Sequence, residues 1–237
     1  MARKPHKVYL LSVCSNKTCN LYQQVRSTYV NDKIGTVEYQ VGFKHGHSTS
    51  LCTHSFKHIV EYYTSRGSHV FVCFADFSKA FDRVNYWKLF KQLIDNGLSA
   101  KIVSLLAFWY SHQQVCVQWH SKTSASFHVG NGPNGTKQGG VLSPCLFNCY
   151  VSKLIMKITA SNIGCNIDGV PANILAYADD MVLMAPSWTA LQYIIQVLVG
   201  CVDDIDMSCN VNKTVCVWSF LQRTRVRSLH LHFRVLG

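Results

Sequence analysis

The chain has 237 residues, 48% of them hydrophobic, and 23 Lys/Arg against 12 Asp/Glu give a formal net charge of +11. That length holds one large domain or a core with a smaller appendage, and the basic excess favours a polyanionic partner without specifying a fold. No uninterrupted run of ~20 apolar residues occurs, so no transmembrane helix and no membrane partner are expected.

The basic start from Met1 to Lys7 is not followed by a small-residue cleavage site. The expectation is therefore no signal peptide and an intracellular protein, cytoplasmic or nuclear. Eleven cysteines are an odd number, spread through apolar segments such as Phe71-Val72-Cys73-Phe74. This reads as buried free thiols in a reducing compartment. Cys145 with Cys149, and His54 with His58, have helical spacing, but no further ligands stand at zinc-site spacing, so packing or surface is their reading.

Residues 1–34 carry no firm period. Tyr39 to Ser50 is a loop with two glycines, the basic Lys44 and a histidine pair, and Ser48 or Thr49 suits the N-cap of a helix over Leu51 to Tyr63. Such a loop embraces phosphates or is simply a solvated surface. His69 to Ala75 is continuous and β-rich, predicting a central strand that ends at Asp76. Ser78 is the expected cap of a helix continuing through Trp87, Leu89, Phe90, Leu93 and Ile94. Gly97 ends it and Ser99 opens another, to Tyr110.

Gln113 to Trp119 and Ser124 to Val129 predict an antiparallel pair, and the glycine-rich stretch 130–140 is irregular. Lys137 and Gln138 are polar contacts there, at the start of a mostly apolar helix from Cys145 to Ile158 with Ser143 as N-cap and Pro144 in its first turn. Leu175 to Met184 is a β-hairpin whose tip carries Asp179 and Asp180. Paired acids in an apolar run either form a polar turn or hold a hard cation. Pro186-Ser187 opens a helix through Cys201. Asp203, Asp204 and Asp206 read as a solvated connection, Asn210 to Thr214 as a turn, and Val215 to Trp218 as a strand.

Two strand ends thus carry acids, Asp76 alone and Asp179 with Asp180, and one sheet can bring them together. The segments Asp76-Phe77-Ser78-Lys79-Ala80-Phe81-Asp82, Gln138-Gly139-Gly140-Val141-Leu142-Ser143-Pro144, Ala176-Tyr177-Ala178-Asp179-Asp180 and Asn212-Lys213-Thr214 resemble, in order, the motifs of reverse transcriptases from non-LTR (LINE-like) retrotransposons. Val41-Gly42-Phe43-Lys44-His45-Gly46-His47-Ser48-Thr49 resembles the fingers motif before them, with histidine at His45 or His47 where the family carries arginine. Pro133 to Thr136 makes the glycine-rich loop longer than the family's.

The resemblance implies an α+β fold: a right-hand polymerase palm with partial fingers, its mixed or antiparallel sheet backed by helices. It implies a divergent lead-in and partial fingers over 1–68, a palm with finger-associated insertions over 69–220, and a basic tail over 221–237 with the thumb absent. The implied activity is RNA-directed DNA polymerisation on an RNA or DNA template with a primer, using deoxynucleoside triphosphates. A missing thumb or endonuclease region would lie on another chain. Asp76, Asp179 and Asp180 would hold Mg²⁺ (or Mn²⁺), with Asp180 alternatively orienting the site or meeting the primer end.

Lys213 would act as a proton donor, or be a solvated lysine at a turn. Lys44, Phe77, Phe81, Gln138, Gly139 and Tyr177 would contact nucleotide or template, with Phe81 beneath the sugar. The alternative is a non-catalytic nucleic-acid-binding remnant of such a polymerase.

Overall fold

A computed structural model describes residues 9–12, 37–44, 46–112, 114–119, 122–128, 135–136, 142–219 and 227–229. Two compact units are built from discontinuous stretches, with boundaries at Ile34/Gly35, Leu89/Phe90 and Asn134/Gly135. Strand β1 (Tyr9–Ser12) belongs to the smaller unit, and helix α1 (Thr49–Ser65), strand β2 (Val70–Ala75) and the start of helix α2 (Tyr86–Asp95) to the larger.

In the smaller unit, helix α3 (Ala100–Ser111) precedes strands β3 (Gln114–Trp119), β4 (Lys122–Thr123) and β5 (Phe127–His128). Strand β3 pairs antiparallel with β1, β4 and β5. Phe90 of α2 meets Tyr110 of α3 edge-on at 6.3 Å.

The larger unit continues with α4 (Ser143–Ala160), the short pair β6 (Asn166–Ile167) and β7 (Val170–Pro171), then β8 (Ile174–Tyr177), β9 (Asp180–Ala185), α5 (Trp188–Asp204), β10 (Val215–Ser219) and β11 (Arg227–Leu229). A five-stranded antiparallel sheet has the order β11-β10-β2-β9-β8. The central position of β2 explains its composition: paired on both sides and buried but for Phe71 and Phe74, it is an apolar run without polar alternation. Val70 and Val72 join Ile59 of α1, Leu175 and Met184 in one core cluster. On the other face, Cys73 and Ala75 look across a cavity of about 170 Å³ to Ile195, Leu198 and Val202 of α5. Each large apolar side chain removed from water here contributes about 1.5–3 kcal/mol.

Helix α4 is apolar nearly all round and accordingly buried, from Leu146 and Phe147 to Ile155 and Ile158. Its Tyr150 hydroxyl donates to the Ile205 carbonyl at 2.6 Å and accepts from the Asn85 N–H at 3.3 Å, tying α4 to the end of α5 and the start of α2. Burial pushes the Tyr150 phenol up to about 12. Tyr150→Phe strands both partners and is expected to lower stability by about 1–2 kcal/mol, read from the urea midpoint. An unchanged midpoint would show that these bonds contribute nothing net.

Some local expectations are corrected. Ser78 caps no helix, because its N–H donates to the Ser208 carbonyl at 2.9 Å and Phe77 is bridged antiparallel to Cys209. The chain instead makes a 3₁₀ turn over Ala80–Arg83 and restarts as α2, where the Asn85 side chain accepts from the Trp87 and Lys88 N–H groups. Ser143 lies inside α4, whose N-cap is Leu142. Ser48 and Ser187 do cap, accepting from Leu51 at 3.4 Å and Ala190 at 3.2 Å. Every described cysteine is free, most of them buried. Asp204 and Asp206 form ion pairs with Lys157 and Lys88, each at 2.9 Å, on the surface. No described helix is long and apolar enough to cross a membrane.

Candidate active site

The register of the sheet assembles the acids. Strand β2 pairs with β9 through Ala75↔Met181, and β8 with β9 through Tyr177↔Asp180. Asp76 directly follows β2 and Asp180 directly precedes Met181, so both acids stand at the end of this pairing where the Ala178-Asp179 turn joins β8 to β9. Asp180 is thus the first residue of β9 and not a tip residue, which corrects the hairpin expected from sequence. The turn is tight because Ala178 takes φ +58°. For a residue with a Cβ that conformation costs about 1–2 kcal/mol, so the surroundings must hold it.

Asp76 is fixed by its backbone. Its carbonyl accepts from the Asn210 N–H at 2.7 Å, and its N–H donates to Thr214 Oγ1 at 3.4 Å. This brings Lys213 Nζ within 3.8 Å of Asp76 Oδ2, in an exposed pairing that contributes little to stability. The electrostatics register the cluster: partial desolvation first, then the charges of Asp179 and Asp76, raise the Asp180 carboxyl, and Lys213 opposes them. Three carboxylates therefore share one field. Among the described residues, no three His, Cys, Asp or Glu side chains converge as a ready-made metal cage.

Phe81 is half-buried, stacked on the buried Phe147 at 4.5 Å and met edge-on by the exposed Phe43 at 6.3 Å. Its carbonyl accepts from the Thr136 N–H at 2.7 Å. Tyr177, half-buried, directly precedes the turn. Phe77 is buried, only 3% exposed, so its ring packs in the interior and offers no face to a nucleotide. Lys44 is also engaged: Nζ donates to the Val37 carbonyl at 2.6 Å, and desolvation lowers its pKa against an opposing effect of Glu38. Gln138 and Gly139 lie outside the described residues.

The sequence pattern of the reverse transcriptase (RNA-dependent DNA polymerase) family matches residues 11–233. The chain belongs to that family. Among relatives of this chain, the Retrovirus-related Pol polyprotein from type-2 retrotransposable element R2DM of Drosophila melanogaster is 27% identical over 164 residues, covering 69% of this chain and 14% of that protein. The probable RNA-directed DNA polymerase from transposon X-element, also of Drosophila melanogaster, is 34% identical over 117 residues, covering 48% of the chain and 12% of the relative. The chain therefore spans only a small part of these proteins, and is related to the Pol polyproteins of non-LTR, R2-like elements.

Among solved structures, apo telomerase from Candida tropicalis, truncated from its C-terminal domain, superposes with TM-score 0.54 at 11% identity, over 85% of this chain and 40% of that one. Telomerase from Candida tropicalis with a fragment of telomeric RNA gives TM-score 0.55 at 12% identity, over 85% and 32%. Such low identities speak for the fold alone. With the family, they establish the palm-type sheet backed by helices, and nucleic-acid binding and metal-dependent chemistry are general to that family.

Proposed function

We propose that this reverse-transcriptase domain performs template-directed nucleotidyl transfer: a primer 3′-hydroxyl attacks the α-phosphorus of a deoxynucleoside triphosphate, the bond to the β-phosphate breaks, and pyrophosphate leaves. The observation that supports the reading is the sheet register, which ends β2 at Ala75↔Met181 one residue before Asp76 and opens β9 at Asp180, with Lys213 at 3.8 Å from Asp76. All donors are carboxylate oxygens, suited to Mg²⁺ or Mn²⁺. A third protein ligand is not required for fit, because Mg²⁺ takes one or two carboxylates and completes its shell with substrate phosphates and water. Mutual repulsion around Asp180 is what a divalent charge would relieve.

On this reading Asp76 and Asp179 hold the cation, and Asp180 orients the site or meets the primer end. A bound pair of Mg²⁺ ions supplies activation of the attacking oxygen and neutralisation of charge on the triphosphate. Lys213, which must leave Asp76 to do so, donates a proton to departing pyrophosphate. Tyr177 packs beside the acids. The +11 charge attracts template and primer, an RNA or DNA strand with its primer end. Lys44 would reach nucleotide phosphates only after exchanging the Val37 carbonyl for them.

The test is extension of a labelled primer on an RNA template with deoxynucleotides and Mg²⁺ or Mn²⁺. Template-coded products are expected. Folded protein that binds the template–primer with either ion and adds no nucleotide would overturn the reading and favour a non-catalytic nucleic-acid-binding role.

Phe81 supplies a second expected result. Its ring stacks on Phe147 and meets Phe43 edge-on, and on this reading its bulk excludes a 2′-hydroxyl. Phe81→Val is expected to raise ribonucleotide over deoxynucleotide incorporation by about 10–100-fold, the range for one packed group in a discriminating pocket. Equal ratios in both proteins would remove Phe81 from sugar selection.

A further inference from the structure

The geometry points to Gln40 as the positioning residue that holds the Ala178-Asp179 turn in the shape that presents Asp179. This rests on the proposed role of Asp179 and adds a residue 138 positions away in sequence from Ala178. Gln40 is completely buried. Its Nε2 donates to the Ala178 carbonyl at 3.0 Å, while Oε1 accepts from the Ala178 N–H at 2.9 Å and from the Gly42 N–H at 3.1 Å. One planar amide thus captures both backbone polar groups of the residue whose φ is +58°.

The clamp is itself anchored. The Val41 N–H donates to the Ala176 carbonyl at 2.7 Å, and the Ala176 N–H to the Tyr39 carbonyl at 2.8 Å, a parallel bridge along the outer edge of β8. Asn148 Nδ2, from buried α4, donates to the Gly42 carbonyl at 2.7 Å. Without the amide, the buried backbone of Ala178 would lose both partners and the incentive to keep a left-handed conformation would go with them. Only a side chain that both accepts and donates at this length can serve. Ionised glutamate accepts but does not donate, and methionine fills the space with neither.

The experiment compares wild type, Gln40→Met and the double variant Gln40→Met/Ala178→Gly in three measurements: amide exchange at residue 178 by NMR, Mn²⁺ binding by EPR, and primer extension with template–primer affinity measured alongside. Gln40→Met is expected to speed exchange at Ala178 and to weaken Mn²⁺ binding and lower kcat by about 10–100-fold, the usual effect of losing a partner that orients a ligand. Template–primer affinity stays at the wild-type level. Glycine adopts positive φ without a Cβ penalty, so the double variant recovers a large part of kcat and Mn²⁺ affinity.

Wild-type exchange at Ala178 in Gln40→Met, or no recovery in the folded double variant, overturns the assignment. Should Gln40→Met not fold, Gln40→Asn replaces it, keeping the amide but falling one methylene short of Ala178. If wild type itself neither extends primers nor binds Mn²⁺, the polymerase reading fails, and exchange at Ala178 still decides whether Gln40 holds the turn.

Discussion

Asp179→Asn is expected to remove primer extension, lowering kcat on the order of 10³-fold or more, while leaving the fold intact and slightly more stable. The size follows from asking one oriented group to stabilise charge in the transition state, where about 4 kcal/mol corresponds to that factor. The stability gain follows from Asp180. Desolvation and the charges of Asp179 and Asp76 raise its carboxyl above the ordinary value, so the folded protein binds a proton more readily than the unfolded chain does.

A raised acid penalises the folded state above its folded pKa. The penalty fades as pH falls through that raised value and is absent below the ordinary carboxylate range. Removing the Asp179 charge relieves part of it. The Tm of Asp179→Asn should therefore exceed wild type at neutral pH and converge with it in acid. Calorimetric melts across pH, beside single-turnover extension, check both halves. Retained activity would remove Asp179 from the chemistry, and a lower Tm at neutral pH would make it a structural residue. Asp179 is a cleaner probe than Asp76, because Asp76 also pairs with Lys213.

What is legible in the sequence is what local pattern dictates. β2 shows as an uninterrupted apolar run, Ser48 and Ser187 sit where a cap should precede a helix, and the hairpin announces itself by two acids inside an apolar run. Failures arise where distant backbone competes. Ser78 is a good local cap, yet pairing of the Phe77-Ser78 backbone with Ser208 and Cys209 leaves it none of that work, and Asn85 takes it over. The same pairing buries Phe77.

Gln40 stands in a loop that reads by its glycines and bases, and no period or charge singles it out. Its importance exists only once Ala178 is folded against it. An uncharged glutamine between Tyr39 and Val41, two residues before Gly42, is the one local signal it gives. The Asn148 contact to Gly42 gives less, since its helix reads as mostly apolar.

Gly42→Ala carries the second large effect, and for a reason other than backbone freedom. A Cβ there would clash with the Ala178 nitrogen and stand 3.1 Å from the Tyr177 carbonyl carbon and 3.2 Å from the Ala178 Cα. All three are backbone atoms of the site-bearing turn, so no side-chain end can swing away. Gly42 cannot retreat either: its N–H is held by Gln40 and its carbonyl by Asn148. The strain must move the turn or break the clamp.

Overpacking against rigid backbone places the cost at about 3 kcal/mol, and displacement of Asp179 should lower kcat further in whatever fraction stays folded. Gly200→Ala provides the opposite sign. Gly200 lies in α5, and a methyl group added there would meet nothing within 4 Å, so alanine gains about 0.5–1 kcal/mol of helix preference. Urea midpoints for the two variants should move in opposite directions from wild type. If Gly42→Ala instead matches wild type in both midpoint and extension, residues 39–42 do not press on the turn, and the close approach that links them to Asp179 is refuted.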